Sequence, residues 1–142
     1  MPKIDFYLLN DSKPSALYLF ACRLVEKAYL HKHATYIAVA SQPIAEQLDN
    51  LLWTFKDNSF IPHQIFNPSQ TQVAPIQIST HNQAPAHCDL LLNLTSEIPE
   101  FHREFNRIIE IVPNDDAWKA QSRNHFKFYR EQGYEIQTHP IN

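Results

Sequence analysis

Lys119, Arg123, Lys127 and Arg130 are spaced by four, four and three residues. On a helix turning about 100° per residue they fall within an arc of roughly 80°. No acid stands between Lys119 and Arg130. Four cations on one stripe repel one another, whereas a face built only for solubility gains from opposite charges three or four apart. Phe126 borders the stripe. Trp118, Ser122, His125 and Tyr129 form a second stripe about a third of a turn away, which suits a core-facing side. Two readings stay open for the cations. They are a solvated helix face, or they line a groove for an acidic, partly apolar ligand such as a peptide tail or a phosphate backbone.

A second concentration of chemistry lies in Leu52-Trp53-Thr54-Phe55-Lys56-Asp57-Asn58-Ser59-Phe60-Ile61-Pro62-His63. Aromatic and aliphatic residues crowd a helix end and the loop after it. Loops are usually polar, and Trp and Phe serve as interface anchors. Trp53 and Phe60 therefore either tuck into the core or present a docking surface.

Catalytic and metal chemistry find less support. His31-x-His33 and His81…His87-Cys88-Asp89 lack the spacing of a structural zinc site, and no further residues complete four ligands. Neither Cys22 nor Cys88 follows a nucleophile signature, and Cys22 falls on the apolar face of a helix, where a thiol is inert. Asp115 and Asp116 stand at a helix start, where acids act as caps and complement the dipole. The sequence has one glycine, Gly133. Phosphate-cradling loops need several, so neither a dinucleotide nor a nucleoside triphosphate is expected, and no cofactor is predicted.

The elements that must position these groups follow from periodicity. Ile4–Leu9 reads as a strand. Pro14 opens a helix whose apolar face is Leu17, Phe20, Ala21, Leu24, Val25 and Ala28, and which ends near His31–His33. Thr35–Ala40 is a buried strand, and Ser41 caps a helix through Leu52. Short strands are predicted near Ile61–Ile65 and Pro75–Ser79, with exposed loops over 66–74 and 80–87. Asp89–Leu94 is a further buried strand, Pro99–Asn106 a short helix, and Ile108–Val112 a strand closed by Pro113. Asn114 or Asp115 caps the last helix, which runs to about Gln132. Gly133 supplies the left-handed residue after it, and Tyr134–Thr138 forms a last strand. The β-α-β-α opening predicts an α/β domain with a parallel core sheet.

Length and composition agree. The 142 residues suit one domain, 1–142, and 44% are hydrophobic, enough for one sizeable core. The net charge of -3 argues against a general affinity for nucleic acid. The N-terminus has no apolar leader and no run of residues reaches membrane-spanning length, so a cytoplasmic protein is expected.

In this order and spacing the residues resemble the DNA polymerase III chi subunit family. The resemblance is carried by Phe6-Tyr7-Leu8-Leu9, by Leu48-Asp49-x-x-Leu52-Trp53-Thr54-Phe55 and by Ser59-Phe60-Ile61-Pro62-His63. It continues through Ala74-Pro75-Ile76, Asp89-Leu90-Leu91-Leu92-Asn93-Leu94 and Val112-Pro113-Asn114-Asp115. It ends on Arg123-x-x-Phe126-Lys127-x-Tyr129-Arg130-x-x-Gly133-Tyr134. Residues 66–87 match poorly.

The resemblance implies a Rossmann-like, three-layer α/β domain with a mainly parallel central sheet and helices on both faces. It implies a non-catalytic subunit of the replicative polymerase that pairs one-to-one with a psi subunit and reaches the clamp loader through it. It also implies binding of the acidic C-terminal tail of single-stranded-DNA-binding protein, which ends in an apolar residue with a free carboxylate. Lys119, Arg123, Lys127 and Arg130 would take the carboxylates, with Val112 and Phe126 against the apolar end. The family usually has Tyr where this chain has Phe126, so the ring is kept and the hydroxyl lost. Trp53 and Phe60 match the psi-contacting surface, which a DNA-repair helicase also uses. Outside the resemblance, the competing readings are a small-molecule enzyme on a doubly wound fold, with its site at the carboxyl ends of the strands, and direct binding of single-stranded nucleic acid.

Overall fold

The computed structural model describes residues 2–58, 60–67, 69, 74–80 and 88–141. The strands are β1 (Lys3–Leu9), β2 (Thr35–Ala38), β3 (His63–Ile65), β4 (Ile76–Ser79), β5 (Leu90–Asn93), β6 (Arg107–Val112) and β7 (Glu135–Ile141). The helices are α1 (Pro14–Leu30), α2 (Gln42–Thr54) and α3 (Asp116–Glu131), with a 3₁₀ turn over Glu100–Glu104. One seven-stranded sheet has the order β3-β4-β2-β5-β6-β1-β7. The sheet expected to be mainly parallel is parallel in every described pairing.

Strand alternation divides the apolar residues between two cores. α1 and α2 bury Leu17, Ala21, Cys22, Val25, Ala45, Leu48 and Leu52 against Ile37, Ile76, Ile78, Leu92 and Ile109 of one sheet face. Tyr129 of α3, with Phe105 from the turn before β6, covers Ile4, Phe6, Leu91, Ile108 and Val112 on the other. Both faces of the central strands are covered, which is why β2 and β5 read as unbroken apolar runs. Burial pushes the Cys22 thiol up to about 12 and the Cys88 thiol up to about 11, so both stay protonated.

Several boundaries differ from the sequence reading. β2 stops at Ala38, because Ala40 already bends toward Ser41, whose Oγ caps Ile44 N–H at 3.4 Å. β3 begins at His63 because Ile61 is a buried plug. The short helix before β6 is a single 3₁₀ turn, the form a five-residue piece prefers when it must swing straight into a strand. β7 runs to Ile141, paired with β1 along its length. Pro140 is tolerated there because β7 is an edge strand. Most of the predicted loops over 66–74 and 80–87, including His81 and His87, lie outside the described residues. Asp115, not Asn114, caps α3: its Oδ2 accepts Trp118 N–H at 2.9 Å. Asp115→Ala is expected to cost about 1 kcal/mol in a urea melt, the usual value of an N-cap.

The topology prepares a crevice. β1 leaves through α1 on one face, while its neighbour β6 leaves through α3 on the other. Adjacent strands that send their chains to opposite faces leave a gap at their carboxyl ends, where ligands of such sheets bind.

Candidate partner-binding site

That gap is a cleft of about 480 Å³. Leu8 and Leu9 from the end of β1, Val112 from the end of β6 and Phe6 form its floor, with Thr138 of β7 at the side. Lys119, Ser122, Arg123 and Phe126 of α3 form the other wall. Phe126 is half-buried, its ring centroid 5.5 Å from that of Phe6.

The loops after β1 and β6 are sewn together at the cleft mouth. Asn114 N–H donates to the Asp11 carbonyl at 3.0 Å, and its side-chain amide donates to the Asn10 carbonyl at 3.3 Å. Lys119 Nζ donates to Asn114 Oδ1, which holds that ammonium at the rim. No ion pair among the described residues uses Lys119, Arg123, Lys127 or Arg130. Charges left without counter-charges beside an apolar floor suit a ligand that brings carboxylates and a hydrophobic group together. Ser122 is 5% exposed, lines the same cleft, and its Oγ has no hydrogen-bond partner.

Of the six residues named from sequence for this ligand, Val112, Lys119, Arg123 and Phe126 share the cleft. Lys127 and Arg130 do not line it. They are exposed and continue the stripe along α3 away from the strand ends. Sequence reasoning missed Leu8, Leu9, Asn10, Asn114 and Thr138, which come from other elements. The second stripe lies as expected for Ser122, His125 and Tyr129, which are buried. Trp118 is only half-buried and packs at the margin of both cores.

Beneath α3 lies a polar network that sequence reasoning also missed. Glu110 of β6 is 3% exposed. It accepts hydrogen bonds from Tyr129 Oη at 2.8 Å and Asn93 Nδ2 at 2.9 Å, and its other oxygen lies 3.0 Å from His125 Nδ1. His125 Nε2 lies 2.9 Å from the Ser96 carbonyl. Burial, and then the Glu110 charge, hold the Tyr129 hydroxyl well above its ordinary value, so it remains a donor. The network fixes the roll of α3 and thereby the direction of its cationic stripe.

Trp53 and Phe60 are not core residues: they are 54% and 78% exposed. Trp53 lies on α2, its ring centroid 4.3 Å from that of His63. The His63 ring is buried, with Nδ1 2.6 Å from the Ile61 carbonyl and Nε2 3.0 Å from the Asp49 carbonyl. Trp53 therefore stands on a fixed platform at the surface. Among the described residues no group of histidine, cysteine or acidic side chains could hold a metal ion. None of the described helices is long and apolar enough to cross a membrane.

Comparison with known proteins adds a consistent set of likenesses. Residues 1–137 match the profile of the family described as DNA polymerase III chi subunit, HolC. The chain is 38% identical over 141 residues to DNA polymerase III subunit chi of Pseudomonas aeruginosa, covering 99% of this chain and 98% of that one. It is 33% identical to the subunit of that name from Haemophilus influenzae, over 96% of each chain. The Escherichia coli subunit is 26% identical over 97% of each.

Proposed function

The chain belongs to the DNA polymerase III chi subunit family, a family of replication accessory subunits, and from that premise we propose that it is a single-domain connector in the cytoplasm that joins two partners without doing chemistry itself. One is a psi subunit, held in a one-to-one pair on the Trp53/Phe60 surface and leading to the clamp loader. A DNA-repair helicase competes for the same surface. The other is the acidic C-terminal tail of single-stranded-DNA-binding protein, held in the cleft beside α3.

The observation that carries the tail assignment is the pair of uncompensated cations, Lys119 and Arg123, above the apolar floor of Phe6, Leu8, Val112 and Phe126. The tail's terminal carboxylate would meet Arg123 and Lys119, and its last apolar side chain would enter between Phe126 and Val112. The Ser122 hydroxyl would then gain the partner it lacks. Lys127 and Arg130 would meet acids further up the tail as it leaves along α3. Phe126 contributes ring area only, so no hydrogen bond from this position enters the binding.

Arg123→Ala or Lys127→Ala is expected to weaken a tail peptide by about 1.5–3 kcal/mol, the range for hydrogen bonds to charged groups. Both side chains are exposed, so the melting temperature should hold. Isothermal calorimetry with the free-acid peptide, its C-terminal amide and a single-stranded oligonucleotide decides the matter. Unchanged affinity in both variants, or tighter binding of the oligonucleotide, would sink the assignment.

A further inference from the structure

Four large apolar side chains stand exposed among the described residues: Leu8, Leu30, Trp53 and Phe60. Leu8 belongs to the α3 cleft. The other three share one end of the molecule. α1 and α2 each leave the carboxyl end of a strand and return the chain to the amino end of the next, so Leu30 and Trp53 lie in last turns on the same side. The strand register sets the first residues of β3, β4 and β2 level: His63 lies beside Ile76, and Ile76 beside Thr35. The segments that enter those strands, residues 60–62, 74–75 and 31–34, therefore stand side by side along that end. Lys56 Nζ, 3.4 Å from both Glu26 carboxylate oxygens, ties the chain after α2 to the last turns of α1.

Beside Leu30 in that row lies a cleft of about 420 Å³, lined by Tyr29, Leu30, Lys32, His33, Ala34 and Pro75. Backbone hydrogen bonds fix its walls. Thr35 N–H donates to the Pro75 carbonyl at 2.8 Å, and the Ala34 carbonyl accepts Asp89 N–H at 3.0 Å and Leu90 N–H at 3.1 Å. Lys32 N–H donates to the Tyr29 carbonyl and His33 N–H to the Ala28 carbonyl, both at 2.9 Å, closing α1 on a left-handed residue, Lys32 with φ 63°. After α3 the same position is filled by Gly133. At α1 a side chain is kept there despite the left-handed backbone, and it lines the cleft. A wall already in place loses little freedom when a side chain enters it.

The psi surface assigned above needs more area than Trp53 and Phe60 provide. A stable pair covers about 800 Å² on each partner, whereas two aromatic rings of roughly 150–250 Å² each supply well under that. Trp53 is moreover only 54% exposed to begin with. Continuity decides what covers the neighbouring cleft: it borders the end that carries Trp53 and Phe60, while α3 and its cationic stripe lie across the sheet.

We infer that the psi interface extends along this end to the cleft at the close of α1, and that psi places an apolar side chain there against Leu30, Tyr29 and Pro75. This extension rests on the reading of Trp53 and Phe60 as psi contacts and adds a third anchor on a different helix.

Affinity for purified psi is measured by calorimetry on the full chain and on Leu30→Gln, Trp53→Ala and Phe60→Ala, with tail affinity and melting temperature as controls. Glutamine keeps the length and the helix propensity of leucine. Leu30 is 70% exposed, so the melting temperature should hold. Leu30→Gln is expected to weaken psi binding about tenfold, the scale of one seated anchor, and to leave the tail affinity alone. If Trp53→Ala and Phe60→Ala weaken psi but Leu30→Gln does not, the interface stops short of α1: the extension is wrong while the psi reading stands. If none of the three weakens it, both fall. If Leu30→Gln alone weakens it, the cleft is the psi anchor and the Trp53/Phe60 assignment is lost. Light scattering without psi covers the remaining occupant: a parent dimer that Leu30→Gln dissolves would assign the cleft to a second copy and overturn the extension.

Discussion

Replacing His125 by alanine is expected to destabilise the fold by about 3–5 kcal/mol, the cost of stripping one partner from a buried ion pair. The His125 ring has oxygen acceptors at both nitrogens, Glu110 Oε1 at 3.0 Å and the Ser96 carbonyl at 2.9 Å. A ring that donates at both nitrogens carries a positive charge, which answers the Glu110 carboxylate. Burial pulls the imidazole down, but the Glu110 hydrogen bond and charge, with the Ser96 carbonyl, outweigh it and leave His125 above its ordinary value. Without the ring, Glu110 keeps only the neutral donors of Tyr129 and Asn93, and the Ser96 carbonyl loses its donor. The sign of the pH effect follows. A raised folded-state value contributes stability that is fully present below the ordinary histidine range and is lost as pH rises through the folded value. Urea melts from about pH 6 to about pH 9 should show the parent chain losing stability and His125→Ala changing little. Replacing both His125 and Glu110 by leucine should recover only part of the loss: the charged pair is removed together, but Tyr129 Oη and Asn93 Nδ2 then lose the acceptor that Glu110 supplies. Equal pH slopes in parent and variant would show that the pair is not charged in the fold.

The helices and strands were legible in the sequence wherever the apolar pattern was local. Thr35–Ala38 and Leu90–Asn93 are buried on both faces and read so; α1 and α2 announce their buried sides at helical spacing. The cationic stripe was legible for the same reason, since helical period alone sets Arg123 beside Lys119. The cleft was not. It exists because β1 and β6, a hundred residues apart in the chain, are neighbours that send their connections to opposite faces. No local pattern encodes that adjacency, so Leu8, Leu9 and Thr138 could not be assigned to a site. The same geometry explains why the stripe divides. α3 starts at the strand ends and runs back along the sheet, so Lys119 and Arg123 meet the crevice while Lys127 and Arg130 pass beyond it. Glu110 could have been flagged: an acid inside Ile108-Ile109-Glu110-Ile111-Val112 must find partners or pay heavily for burial. Its partners on α3, 15 and 19 residues later, could not be named from periodicity without knowing which face of β6 the helix covers. For Trp53 and Phe60, composition allowed core or surface equally, and only the packed fold decides for the surface.

Phe60→Ala and Trp53→Ala are expected to weaken psi binding by about 2 kcal/mol or more each, the scale of aromatic anchors at an interface, while leaving tail affinity unchanged. The reason is position. Trp53 belongs to α2, whose apolar side packs on the sheet face opposite α3, and Phe60 follows in the loop that leads to β3. Neither Trp53 nor Phe60 lines the α3 cleft. Sites that share no partners contribute independently, so Phe60→Ala with Arg123→Ala should lose both affinities by the sum of the single losses. The two aromatic variants also separate binding from folding. Phe60 is 78% exposed, so its removal should leave the melting temperature alone. Trp53 rests on the buried His63 ring, so its removal should lower the melting temperature slightly as well. Both affinities and the melting temperature are measured on Trp53→Ala, Phe60→Ala, Arg123→Ala and the double variant. A Phe60→Ala chain that still binds psi at parental strength would remove this surface from the interface. If Trp53→Ala weakens the tail as much as it weakens psi, the two sites are one cooperative unit, and a connector with separate grips is the wrong description.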